Sequence, residues 1–288
     1  MKQDLKKQTF LQWKIKNVDT NGYDYKLNNK ISNTDNVSLK KIESIYTNIS
    51  PKNLEKFLKK DKDIWKYFSG IGIDLGGGIG LVSSVIAKNN NVKKIYCLDV
   101  VKNAVKKCQP IFIKKILGKK YKKVISVLGS FNNLEIKNLS IDFCIAWDAM
   151  HHSNNIAKTL SEVKRVLKNN GIFIIIDRAH NNSTSIKEIK RMENIIYSKK
   201  FLEDNMYPPN KILTRKMNGE REYRYSDWQK FFKSSNFKVI KSIVMIEKSK
   251  KNKKKNDSKI EEKILNFKIG GFEQQKIIYV LKKNNIDK

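Results

Sequence analysis

The run Gly72-Ile73-Asp74-Leu75-Gly76-Gly77-Gly78-Ile79-Gly80 lies between a short apolar stretch, Ile71 to Leu75, and a helical pattern, Leu81 to Ala87. Its glycines at 76, 78 and 80 alternate where backbone must turn tightly and approach a ligand with no Cβ in the way. About nineteen residues beyond the loop the next strand ends in Leu98-Asp99, and a carboxylate there can accept both hydroxyls of a ribose. Strand, glycine turn, helix and acidic strand end together describe a nucleoside site. The spacing is not the nicotinamide G-x-G-x-x-G, because Leu81 stands where the third glycine is needed, and no G-K-[ST] is present for a phosphate-cradling loop.

Outward from that loop, strand and helix alternate. Strands are expected at Lys94 to Leu98, Val124 to Leu128, Ile141 to Ala146 and Ile172 to Asp177, the last an apolar run suited to a central strand covered on both faces. Between them fall a helix from Val101 to Leu117 that breaks at Pro110, and an amphipathic helix from about Asn155 to Leu167 stopped by Asn169-Asn170-Gly171. After Ala179 the alternation stops for about fifty residues, until Ser226 caps a helix through Phe232. Strands Val239 to Ile246 and Lys276 to Lys282 then form an antiparallel hairpin. The expected fold is a doubly wound, mostly parallel, seven-stranded Rossmann-like α/β sheet with a C-terminal hairpin and an insertion after strand five. Residues 1–60 read as an irregular arm docking a few aromatics and a helix opened by Ser50-Pro51; residues 61–288 read as the main domain, with the insertion at about 181–225 and a lysine-rich loop at 248–259.

Composition narrows the function classes. The 288 residues are 40% hydrophobic, enough for one sizeable core. A net charge of +32 would ordinarily suggest nucleic acid, but only six of the 60 basic residues are arginine, the side chain preferred for bidentate phosphate and base recognition. Abundant Lys, Asn and Ile together fit AT-rich coding, and the run 248–259 has no aromatic residue for base stacking, so a solvated hairpin loop is expected there. No apolar stretch approaches the roughly 20 residues that cross a bilayer, and Met1 to Lys7 lacks the apolar core of a signal peptide, so a cytoplasmic protein without membrane contact is expected. Cys97, Cys108 and Cys144 show no C-x-x-C spacing; they read as reduced core residues, and no metal is assigned.

The pattern D-x-G-x-G-x-G from Asp74 to Gly80 resembles that of the class I S-adenosylmethionine-dependent methyltransferases. Ile141-Asp142-Phe143-Cys144-Ile145-Ala146-Trp147-Asp148-Ala149-Met150-His151-His152 is similar to that family's fourth-strand motif. Leu160 to Gly171 is similar to its helix and turn into strand five. The resemblance covers about residues 65 to 246. It implies S-adenosylmethionine as cofactor, with Asp74, Gly76, Gly78 and Gly80 along its methionine part, Asp99 on the ribose, and Ala146 and Trp147 beside the methionyl chain. Where the family commonly carries an Asp that meets the adenine amino group, this chain has Gly129-Ser130-Phe131, so Ser130 or its backbone takes that place.

All three histidines follow strand ends, His151 and His152 after the fourth and His180 after the fifth, on the rim where open α/β sheets bind ligands. Methyl transfer to a hydroxyl needs a group to take its proton, which gives each histidine either a catalytic role or a packing role in its turn. Asp148 and Asp177 share that edge as base, orienter or loop cap. Five of the six arginines lie between 178 and 224, and their fork geometry suits an anionic acceptor bound by Arg178, Arg221 and Arg224, or else internal pairing with Glu193, Glu220 and Glu222. The expected activity is methylation of a small molecule, at a hydroxyl of an anionic metabolite or sugar. The alternatives are an RNA methyltransferase, on charge alone, and a cofactor-binding protein without catalysis.

Overall fold

The computed structural model describes residues 10–16, 49–205, 207–248, 262–264, 266–269 and 272–284. Most of the N-terminal arm, and the lysine-rich loop beyond Lys248, lie outside the described residues. Helix α1 (Pro51–Lys60) starts where Ser50-Pro51 predicts, with the Ser50 hydroxyl accepting from the Asn53 N–H, and helix α2 (Lys62–Tyr67) follows behind an Asp61 cap.

The sheet is built from β2 (Gly70–Leu75), β3 (Val92–Asp99), β4 (Val124–Leu128), β5 (Ile141–Trp147), β6 (Leu167–His180), β7 (Phe237–Val244) and β11 (Phe272–Lys283). Their order is β4-β3-β2-β5-β6-β11-β7, with β11 antiparallel to both of its neighbours, as the predicted hairpin requires. Helices α3 (Leu81–Ala87), α4 (Gln109–Leu117) and α5 (Ile156–Val166) make the crossovers. Alternate residues of each strand feed opposite faces. Ile73, Leu75, Cys144, Phe173 and Ile175 pack with Trp228, Phe232 and Tyr279 on one side, while Ile95, Cys97, Phe143, Ile145, Ile174 and Ile176 pack with Leu54, Leu58, Val85 and Ile86 on the other. Phe173, Ile174, Ile175 and Ile176 are each wholly buried, worth about 1.5–3 kcal/mol apiece.

Several expectations are corrected. Among the described residues the sheet has nine strands, because β1 (Leu11–Gln12) adds in parallel beside β4 and β10 (Asn266–Ile269) adds beside β11; a separate pair joins β8 (Ile246–Lys248) to β9 (Glu262–Ile264). A two-residue strand carries no readable period, but its consequence is firm: Trp13 donates its backbone N–H to the Leu128 carbonyl and buries its ring against Gly129 and Tyr96. Pro110 does not break a helix. It stands in the first turn of α4, where its missing N–H is harmless, behind a π turn at Ala104–Cys108. Strand β6 begins directly at Leu167, and the predicted stop at Asn169-Asn170-Gly171 is a bulge within it, between the pairings Ile141↔Leu167 and Phe143↔Ile172. A Cβ on Gly171 would lie 3.0 Å from the Lys168 carbonyl oxygen.

The insertion contains α6 (Ile186–Glu193) and α7 (Lys199–Asp204), a bridge between Ile196 and Thr214, and a small core of Leu202, Tyr207 and Leu213 beneath Tyr197 and Phe201. It returns along 215–224 to α8 (Tyr225–Ser234). The cap of α8 is Arg224, not Ser226: Asp227 accepts from the Arg224 backbone N–H and guanidinium. Cys97, Cys108 and Cys144 are free and buried, as expected. Among the described residues no helix is long and apolar enough to cross a membrane.

Candidate functional site

Between β2 and α3 the loop turns through Gly76, Gly78 and Gly80 at φ of +73°, +52° and +86°, backbone that only glycine adopts at little cost. A Cβ on Gly76 would fall 2.5 Å from that of Ala149, and one on Gly80 would fall 2.8 Å from Ile113 Cγ1. The loop is therefore pressed between the segment after β5 and helix α4. It is also pinned from the neighbouring strand: Gly77 N–H donates to the Leu98 carbonyl, Gly78 N–H to Asp99 Oδ2, and Gln109 Nε2 to the Gly78 carbonyl, at 2.8, 2.8 and 2.9 Å. Asp99 is half-buried and also accepts from the Val101 N–H through Oδ1; ionised carboxylate oxygens have further lone pairs for a ribose.

Asp74 and Ala146 are placed differently from the sequence expectation. Asp74 is 1% exposed and takes the Ser83 hydroxyl at 2.7 Å, bracing the loop from beneath; burial pushes its carboxyl up to about 7 against the Ser83 hydrogen bonds. Ala146 is fully buried in the core and presents no side chain to the rim. Trp147 is half-buried, edge-on to Phe57 of α1. Ser130 is buried after β4, its hydroxyl accepting from the Asn132 N–H.

The rim beyond β5 and β6 is a charged network assembled from distant parts of the chain. His151 sits in a single 3₁₀ turn, Met150–His152. Its Nδ1 meets Asp177 Oδ1 at 2.7 Å, and its backbone N–H donates to Asp177 Oδ2 at 3.2 Å. Asp177 is fully buried, also accepts the Arg178 N–H, and is raised by burial against the pull of the Arg178 charge. With Nδ1 so occupied, His151 Nε2 faces Glu220 Oε2 at 3.5 Å. His152 packs on His151 with ring centroids 4.2 Å apart. Burial holds both imidazoles well below their usual value, with the Arg178 charge adding to the effect, so both are neutral. Arg221 clasps this corner, its Nη1 donating to the carbonyls of His152 and Gly219 at 3.1 Å each.

His180 is as buried as His151, which is 2% exposed. It is 1% exposed and enclosed, its Nε2 2.8 Å from Glu222 Oε2 and 2.9 Å from Gln274 Nε2. Burial alone would raise Glu222, but the His180 bond and the Arg178 and Arg215 guanidinium groups hold it down at about 2. Asp148, at φ +48°, is paired with Lys276. The arginine question resolves towards internal pairing: Arg178 binds Glu220, Arg215 binds Glu222, and Arg224 binds Asp227. Arg221 alone of the three named acceptor arginines makes its recorded bonds only to backbone carbonyls. Aromatic side chains of the insertion and of α8 are packed as well, Tyr197 on Phe201 at 4.1 Å, and Tyr223 and Trp228 against each other. Glu220 and Glu222 are legible in sequence only as partners for arginines; Gln274 carries no signal, because its role depends on β11 lying beside β6.

A family model for a methyltransferase domain matches residues 73–175, from the strand that precedes the glycine loop to the middle of β6. No curated protein is similar to this sequence. Among solved structures, a Bacillus halodurans protein is 17% identical over 81% of this chain and 99% of its own, with a TM-score of 0.54. An S-adenosylmethionine-dependent methyltransferase from Clostridium acetobutylicum is 14% identical over 84% and 96%, with a TM-score of 0.52. A Galdieria sulphuraria protein is 18% identical over 67% of this chain and only 62% of its own length, with a TM-score of 0.49. At these identities the likeness to the Bacillus and Clostridium proteins is one of fold.

Proposed function

We propose that the chain is a class I S-adenosylmethionine-dependent methyltransferase, a reading supported by the methyltransferase-domain match over residues 73–175 together with the glycine loop, and that it methylates a hydroxyl of a small-molecule acceptor. When bound, the cofactor supplies an electrophilic methyl group on a sulfonium sulfur. The cradle fits it: a loop where added Cβ atoms collide, closed by a strand-end carboxylate. Gly76, Gly78 and Gly80 would take the methionine end, Asp99 the ribose, and Ser130 with its adjoining backbone the adenine edge.

The observation that carries the hydroxyl reading is the buried Asp177–His151 pair. A hydroxyl must lose its proton as it reacts, and the pair holds a neutral imidazole in one tautomer, Nδ1–H on Asp177 and Nε2 bare. Ala149, two residues before His151, packs against Gly76 of the glycine loop, which supports a proton-handling role for this turn. Arg221 is the side chain left to meet an anionic group of the acceptor, and the insertion 181–225 forms the acceptor wall. Three buried free cysteines accord with work in the reducing cytoplasm. Product analysis with methyl-labelled cofactor against paired hydroxyl and amine acceptors tests the reading. Methyl ethers are expected; methylamines, or turnover on RNA alone, would overturn it.

A further inference from the structure

At the acceptor rim, the ligating atoms of His151, His152 and Glu220 all lie within 4.8 Å of one another. The edge between His151 Nε2 and Glu220 Oε2, 3.5 Å, is close to the ~3.4 Å that separates two ligands of a tetrahedral zinc with bonds of roughly 2.0–2.1 Å. His151 has its other ring nitrogen committed to an outer acceptor, the Asp177 carboxylate. Metal-binding histidines are held in this way, because the outer bond fixes the tautomer and turns the remaining lone pair to the ion. Glu220 is anchored likewise, its Oε2 meeting Arg178 and lying 3.5 Å from Arg215 Nη2. His151 Nε2 and Glu220 Oε2 can each offer a lone pair to an ion held between them.

We infer that His151 Nε2, His152 and Glu220 form a binding site for a divalent transition metal of the zinc type, with one coordination position open to the acceptor. Two imidazoles and one carboxylate favour zinc and its neighbours over magnesium or calcium, which prefer all-oxygen shells. The inference rests on the hydroxyl-acceptor reading for its chemistry. The ion holds the acceptor oxygen as a Lewis acid, so that the O–H bond breaks with its proton passing to water at neutral pH and its electron pair staying on oxygen. With the ion bound, His151 Nε2 is a ligand and no longer takes the acceptor proton as it would in the metal-free pair, and Asp177 positions it.

The test is calorimetric titration of the EDTA-stripped full-length protein with Zn²⁺, paired with the visible spectrum of the Co²⁺ form. One site per chain is expected, with tetrahedral Co²⁺ absorption. Affinity should fall more than 100-fold in Glu220→Gln and His152→Ala, and about 10–100-fold in Asp177→Asn. S-Adenosylhomocysteine affinity within threefold of wild type reports that each variant is folded. Mg²⁺ should not compete. Zn²⁺ binding absent from the wild type, or unchanged in both ligand variants, overturns the site. If the stripped enzyme still forms methyl ethers at full rate, the metal site fails while the hydroxyl reading stands; methylamine products would sink that reading whatever the metal result.

Discussion

The glycine loop and the acceptor rim occupy the same sheet edge but are built in opposite ways. The loop comes from one short contiguous segment, and most of what holds it is backbone: three glycines at positive φ and N–H groups donated to Leu98 and Asp99. The rim comes from side chains at 151, 177, 180, 215, 220, 222 and 274, drawn together by β5, β6, β11 and the insertion. Their titration differs in sign too. Asp74, beneath the loop, is raised to about 7 by burial without a cation beside it, whereas Glu222 is held at about 2 by His180, Arg178 and Arg215. A site made of backbone tolerates a nearly neutral interior; a site made of charges needs each one paired, since an unpaired buried charge is costly. Loop damage should therefore show in cofactor binding, and rim damage in turnover and stability.

The largest break expected is Asp177→Asn. An amide cannot hold His151 in the same tautomer, so kcat should fall about 10²–10⁴-fold while S-adenosylhomocysteine affinity stays within threefold, a split that single-turnover rates and calorimetry resolve. Next is Glu222→Ala, which strands Arg215 and His180 and should cost about 3–5 kcal/mol in urea unfolding. Because the folded carboxyl lies below its ordinary 4.5, the stability it contributes is present above that pH and is lost as pH falls towards 2. The variant should thus show a shallower acid limb, and an unaltered limb would contradict the pairing.

Asp74 gives the opposite response. Its folded carboxyl lies above its ordinary 3.8, so its contribution is present below that value and is lost as pH rises through about 7. Asp74→Asn keeps an acceptor for the Ser83 hydroxyl and should gain stability over wild type progressively from pH 4 to 7, with a constant gap above. An identical pH profile for the two proteins would remove the burial argument. The smallest effect is Arg224→Lys, which loses the forked contact to Asp227 but keeps the backbone one, for a slight loss of stability in urea unfolding and no change in acceptor KM. A raised KM would return Arg224 to the acceptor site.

The same contrast explains what could be read from sequence. The alternation of apolar runs, Gly76 to Gly80 and Asp99 lie within short windows where period and spacing carry the physics, and the core sheet follows from them. Strand β1 was invisible because Leu11–Gln12 is too short for any period, yet it buries Trp13 beside the end of β4. Histidine placement at strand ends was legible, but the roles were not. His151 and His180 look alike in sequence and are both buried; what separates them is their partners, Asp177 for one and Glu222 with Gln274 for the other. Those partners lie 26, 42 and 94 residues away, and only the folded sheet brings them together.

The central claim is that the loop between β2 and α3 is the cofactor site and that the rim is separable from it. Calorimetric titration with S-adenosylhomocysteine of wild type, Asp99→Ala and Asp177→Asn tests it directly. Micromolar binding by wild type, weakened about 100-fold or more in Asp99→Ala and kept in Asp177→Asn, is the predicted result. No binding by the folded wild type, or equal loss in both variants, would contradict it.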